Sequence, residues 1–310
     1  MIFNDFHMQA SEGKQIYVAS WSPEREAKTK AVVQLAHGMA EHISRYARFA
    51  SYLCDNGYIV YGNDHRGHGK TAGTIENVGF LGEVNGFEFV VEDMVYLSDR
   101  IQQNHPDLPI FLLGHSMGSL LVRYYISKQG NRLKGAVLSG TMGHPGILGR
   151  VALLIAQLEI LFKGKRAKSP RLNQLSFGSA NDAFKPARTD FDWLSRDAVE
   201  VDKYVEDPYC GAVFSAGFFR DLLSGLYKTF STETLEQTPE DLPLLLFSGE
   251  QDPVGGRRGV TKVYQSYLEA GVKDINLKLY PGGRHEMLNE INRQEVFDDV
   301  VTWLDKHLNA

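Results

Sequence analysis

Short, almost wholly apolar runs recur at residues 32–36, 58–62, 109–113, 135–139 and 244–248, followed by the strand-like run 276–280, and are separated by longer stretches with apolar positions at helical spacing. Apolar runs this short between helices predict strands buried on both faces, and hence a mostly parallel sheet covered by helices. The helical stretches fall at 44–56, closed by Gly57, and at 87–103, 117–128, 259–270 and 293–308. Ahead of them, residues 15–21 alternate at period two, as an antiparallel edge hairpin would. Ligands on such sheets gather at the carboxyl ends of the strands, so candidate chemistry is sought there.

The alternation stops at about residue 141 and returns at 242, with helical stretches, aromatics and turns in between. This predicts an α/β core from 1–140 and 242–310, split in sequence and joined in space, with an inserted helical cap at 141–241. A length of 310 residues allows either one large domain with an insertion or two modest ones, and the returning pattern favours the first. Hydrophobic residues at 43% and charged residues at 23% fit a soluble chain with a sizeable core. A net charge of -5 gives no reason to expect a nucleic-acid partner. Cys54 and Cys210 lie far apart, outside any pattern for a disulfide framework or a thiolate metal site. No basic segment followed by an apolar run opens the chain, so a cytoplasmic enzyme is the expectation. Nothing in the pattern sets an oligomeric state.

Between the apolar run 109–113 and the helical stretch after it stands Gly114-His115-Ser116-Met117-Gly118. A serine between strand and helix has to turn sharply, and glycines two residues to either side remove the Cβ atoms that would collide there. Ser116 would then project its hydroxyl above the sheet. A hydroxyl is a weak nucleophile at neutral pH, so it needs a base within reach and a group to orient that base. His285 follows the last strand in a glycine-containing loop and suits the base; Asp252, just beyond the strand at 244–248 and followed by Pro253, suits the orienting acid. Glu250 is the rival for that last role. The oxyanion requires preorganised N–H donors: the Met117 amide at the helix start, and the Met39 amide in the loop after the first parallel strand.

Taken with Gly114 to Gly118, Asp252 and His285, the segments His37-Gly38-Met39-Ala40-Glu41-His42 with Arg45-Tyr46, and Asn63-Asp64-His65-Arg66-Gly67-His68-Gly69, carry a family resemblance. The chain resembles the monoacylglycerol lipase and lysophospholipase branch of the α/β hydrolases, also grouped as serine-aminopeptidase-like hydrolases. The resemblance implies the α/β-hydrolase fold, and it implies that residues 37–42 form the oxyanion loop and that 64–69 pack structurally. The sequence departs from the family at Lys70, where relatives often carry a small hydroxyl residue. His37, His42, Asp64, His65 and His68 invite a metal reading, but glycines interleave them on a turn and neither thiolates nor helical ligand spacing appear. No metal and no cofactor are expected.

In the cap, residues 147–162 form a strongly apolar helical stretch followed by Lys163, Lys165, Arg166 and Lys168. Two readings compete: a lid touching lipid aggregates with its cations at the interface, or a helix packed on the core with cations favoured by its dipole. Two readings hold for the aromatics Phe177, Phe184, Phe191, Trp193, Tyr209, Phe214, Phe218 and Phe219: a lining of an apolar pocket for an uncharged acyl ester, as a small-molecule or lipid substrate, or ordinary core for most of them. The expected reaction is ester hydrolysis through an acyl-enzyme, and the resemblance sharpens the substrate to a monoacylglycerol or lysophospholipid. A small-peptide amidase or aminopeptidase stays open, as does a ligand-binding homologue without turnover. An epoxide hydrolase is disfavoured, because such relatives carry aspartate where Ser116 stands.

Overall fold

The computed structural model describes residues 1–24 and 29–308. Eight strands form a single sheet: β1 (Ile2–Gln9), β2 (Gln15–Ser22), β3 (Ala31–Ala36), β4 (Tyr58–Asn63), β5 (Ile110–His115), β6 (Gly135–Ser139), β7 (Leu244–Gly249) and β8 (Ile275–Tyr280). Their spatial order is β1-β2-β4-β3-β5-β6-β7-β8. The β1/β2 and β2/β4 pairs are antiparallel and all others parallel. The apolar runs behave as their composition demands: every residue of β3 to β7 is buried, whereas β1 at the free edge is mostly exposed.

Eleven α-helices complete the described residues: α1 (Ala47–Asp55), α2 (Gly69–Ala72), α3 (Gly86–Asn104), α4 (Met117–Gln129), α5 (Gly146–Lys163), α6 (Pro170–Phe177), α7 (Ala198–Glu206), α8 (Ala216–Thr229), α9 (Thr232–Glu236), α10 (Gly256–Glu269) and α11 (Arg293–Leu308). One face of the sheet packs on α1 and α11, through Phe49, Leu53, Phe297, Val300 and Trp303. The other packs on α3, α4 and α10, through Val90, Met94, Leu121, Val263 and Tyr267. Residues 141–241 lie between β6 and β7 and hold α5 to α9, with only the isolated bridge Lys168 to Ser215 in extended pairing.

The chain leaves β3 toward β4 on one side, while β5 lies on the other side of β3. The strand order therefore reverses between β3 and β5, and the loops leaving their carboxyl ends part to form a crevice. Those loops carry Gly38-Met39 and Ser116. Among the described residues, no helix is long and apolar enough to cross a membrane.

Candidate active site

Ser116 sits at the joint between β5 and α4 with φ 51° and ψ -118°, in the region that side-chain-bearing residues avoid. The two flanking glycines make that turn passable. A Cβ on Gly114 would stand 2.4 Å from the Gly118 carbonyl oxygen, and one on Gly118 would stand 2.1 Å from the Ala36 carbonyl oxygen. Helix α4 is thus pressed against β3 and β5 with no room for a methyl group, and the serine is forced up at the crest.

Beyond β8, His285 is almost completely buried and donates from Nδ1 to Asp252 Oδ1 at 2.9 Å. Asp252 also accepts from the Val254 amide (2.8 Å) and the Ser248 hydroxyl (2.9 Å). Burial alone would raise the Asp252 pKa, but the His285 imidazole and these donors outweigh it and hold the carboxyl below its usual range. For His285, burial disfavours the imidazolium, yet the Asp252 carboxylate, with Glu286 and Glu41, prevails and raises the pKa. Binding Nδ1–H to a carboxylate leaves Nε2 with its lone pair free to accept a proton. The rival Glu250 pairs instead with Arg257, away from the imidazole. His115, next to the serine, is pulled down to about 4 by burial and by His285, so it stays neutral at pH 7.

Ser116 and His285 line one cavity of about 640 Å³, together with Gly38, Met39 and Glu41. Gly38 lies against the serine: a Cβ there would stand 3.3 Å from Ser116 Cβ. Neither the Met39 nor the Met117 amide donates to a partner among the described residues. The Gly38–Met39 peptide is held from behind. His37 Nε2 accepts from the His65 amide (2.9 Å), so its proton lies on Nδ1, which donates to the Gly38 carbonyl at 2.7 Å. Glu41 fixes the other side, accepting from the Gly38 amide (2.6 Å), Tyr46 (2.9 Å) and Arg45 (2.7 Å).

His37, His65 and His68 pack together beneath this loop, His37 tilted against His65 and His68 edge-on to both. Burial keeps all three neutral, pulling His37 down to about 3 and the others well below their ordinary value. Asp64 accepts from the Ile43 and Lys70 amides, so the 64–69 segment is loop scaffolding. Among the described residues one trio of metal-ligand types converges, His42, Asp207 and Cys210, with donor atoms within 4.8 Å of one another. His42 is already engaged by Asp207 at 2.8 Å.

The expected aromatic pocket is only partly realised. Phe177, Phe191 and Trp193 line the cavity, whereas Phe214, Phe218 and Phe219 are buried in the main core. Tyr204 lines it too, unnoticed in the sequence because a lone tyrosine on an amphipathic helix carries no signal. Also missed was the pairing of Arg45 with Glu286, two residues 241 positions apart.

The sequence model of the family described as serine aminopeptidase, S33 matches residues 27–292. A monoacylglycerol lipase of Mycolicibacterium smegmatis is 33% identical over 96% of this chain and 95% of its own length. The chain belongs to this hydrolase family. A monoglyceride lipase of Mus musculus is 28% identical over 98% of this chain and 91% of its own. The crystal structure of a thermostable carboxyl esterase from Bacillus coagulans, in complex with glycerol, superposes with a TM-score of 0.91 at 29% identity, covering 99% of each chain. The fold is that of the α/β hydrolases.

Proposed function

We propose that the chain hydrolyses carboxylic esters of neutral amphiphiles, a monoacylglycerol above all, with Ser116 as nucleophile, His285 as base and Asp252 as orienting acid. The observation that carries this reading is the buried His285–Asp252 hydrogen bond facing the same cavity as a serine held in the strained elbow. Ser116 Oγ attacks the ester carbonyl while His285 Nε2 takes its proton. The oxyanion turns toward the unpartnered Met39 and Met117 amides, each worth on the order of 3 kcal/mol to the transition state. His285 returns the proton to the leaving glycerol oxygen, and a water repeats the sequence on the acyl-enzyme.

Charge around the cavity favours a neutral head group over a lysophospholipid. Lys185 is paired with Asp182 (2.8 Å), Arg188 with Asp202 (2.5 Å), and Arg45 behind the wall is taken up by Glu41 and Glu286. A phosphate would meet no unpaired cation among the described lining residues. The same engagement of Glu41 and Glu286 leaves no buried carboxylate there for the free amino group of a peptide, which favours ester over amide substrates.

In the cap, α5 turns Ile147, Leu148, Leu161 and Phe162 outward, each at least 75% exposed, and supports transient contact with a membrane or micelle. The cations after it serve a different purpose. Lys165 and Lys168 donate to the carbonyls of Glu83 and Val78, and Arg166 pairs with Glu83 at 3.0 Å. These ties bind the foot of the cap to the 78–83 loop.

The test compares mono-octanoylglycerol with a lysophosphatidylcholine of the same chain and with an aminoacyl anilide. The proposal expects the glycerol ester to be preferred by about tenfold or more in kcat/KM, a difference of roughly 1.4 kcal/mol. All turnover should vanish in Ser116→Ala.

A further inference from the structure

We propose that Trp193, a cap residue, is a positioning residue for His285, so that this part of the cap belongs to the catalytic apparatus. The inference rests on the reading of His285 as the general base. One hydrogen bond, from Nδ1 to Asp252, fixes one point of the imidazole. A ring held at one point can still swing about it, and that swing displaces Nε2, the atom that has to meet the serine.

On the core side the ring lies against His115, with ring centroids 4.7 Å apart, and close over Gly140, where a Cβ would stand only 3.2 Å from His285 Cε1. On the cap side the only aromatic ring recorded against it among the described residues is Trp193, at 5.2 Å and 37°. The indole is itself fixed. Phe177 stacks on it at 5.7 Å and 15°, and its backbone amide donates to Asn181 Oδ1 at 2.8 Å.

The backbone reinforces the contact. The His285 amide donates to the Trp193 carbonyl at 3.4 Å and the Glu286 amide to the Leu194 carbonyl at 2.8 Å, while Ser195 Oγ donates to the Asn289 carbonyl at 2.9 Å. Residues 193–195 therefore run as a strap along the loop that carries the base. The small cluster built on Trp193 and Tyr204 also packs Val254, whose amide holds Asp252. Removing the indole frees the imidazole to rotate and admits water beside the His–Asp pair. Geometry this tight is needed, since a displacement of about 1 Å in a catalytic group can cost on the order of 100-fold in rate.

The experiment measures fluorophosphonate labelling rates and p-nitrophenyl acetate turnover for the wild type, Trp193→Ala, Trp193→Phe and Ser116→Ala, well below each protein's melting temperature. The two-carbon acyl group has little to bury, so pocket filling contributes little. Trp193→Ala should lower labelling and kcat about tenfold or more with KM within about twofold, and Trp193→Phe should recover most of the loss. Wild-type labelling and kcat in Trp193→Ala, with Ser116→Ala unlabelled, would overturn the role of Trp193 and leave the triad standing. A loss in kcat that matches only the fraction unfolded would also overturn it. Labelling of Ser116→Ala at the wild-type rate would overturn the triad itself.

Discussion

The guanidinium of Arg45 grips Glu286 through two parallel hydrogen bonds, Nη1 to Oε1 at 2.6 Å and Nη2 to Oε2 at 2.7 Å, one residue beyond His285. The same Nη1 reaches Glu41 in the 37–42 loop, so one buried cation sets the spacing between the two loops that flank Ser116. Flanked by these carboxylates, Arg45 keeps its charge despite burial, and its pKa is raised well above the ordinary value. Removing it in Arg45→Met leaves two buried carboxylates facing each other. Stability should fall by about 3–5 kcal/mol, as for other broken buried pairs. Urea denaturation checks that figure, and kcat should fall as well, because the proposed oxyanion donor and the proposed base lose their common anchor.

Asp252 and Glu250 stand two residues apart on one loop and differ in what they touch. Asp252→Asn keeps the shape but can no longer hold His285 in the tautomer that leaves Nε2 free, so kcat should drop on the order of 10⁴-fold. Glu250→Gln breaks only a half-exposed pair with Arg257 and should leave kcat within about twofold. Steady-state kinetics on one soluble ester decides between them; a large loss in the glutamine variant with none in the asparagine variant would reverse the assignment.

The pH dependence follows from the raised pKa of His285. As the proposed base, His285 would work only as neutral imidazole, so activity should be lost as pH falls and the imidazolium forms. With the pKa raised, the midpoint of the acidic limb should lie above 6.5, the ordinary histidine value. In Asp252→Asn the chief raising influence is gone while burial, which lowers the pKa, persists. The limb of the residual activity should therefore move to lower pH. A kcat/KM profile of each protein tests the direction of both shifts.

Helix α5 offers a separate test that leaves the catalytic groups alone. In the double variant Leu148→Glu/Phe162→Glu two outward-facing side chains become charged without touching the cavity lining. Sedimentation with phosphatidylcholine vesicles should show binding weakened roughly fivefold or more, while turnover of a monomeric ester stays unchanged. Equal sedimentation of variant and wild type would remove the lipid-contact reading of α5.

How much of this was legible from sequence depended on the range of the interaction. Gly114, Ser116 and Gly118 announce themselves because the steric demand of a strand-to-helix turn is local. The preference for Asp252 over Glu250 had only its distance from the strand end and a following proline behind it, and their contacts, His285 for one and Arg257 for the other, lie too far apart in sequence to be read from it. Trp193 was legible as an aromatic but not as a neighbour of His285, because nothing in a chain tells which of its rings meet across the fold. Nor does a chain tell which of its aromatics line a pocket and which, like Phe214, Phe218 and Phe219, are packed in the core. The choice between interface and helix dipole for Lys165, Arg166 and Lys168 stayed open in the sequence because their partners, in the 78–83 loop, lie 82 to 90 positions away.

Those three basic residues also bear on how the enzyme could be re-engineered. They moor residues 165–168 of the insertion between β6 and β7 to the core, and the pairing of residues 193–195 with the loop that carries His285 makes a second mooring. The span between the two moorings supplies Asn173, Gln174, Phe177, Asn181 and Arg188 to the cavity wall. Mutational libraries confined to that span, with Phe177 and Asn181 kept because they hold Trp193, can reshape the entrance for bulkier or shorter acyl groups while the proposed proton-transfer geometry stays in place. Libraries spread evenly over the whole insertion would instead lose much of their diversity to variants with a misplaced base.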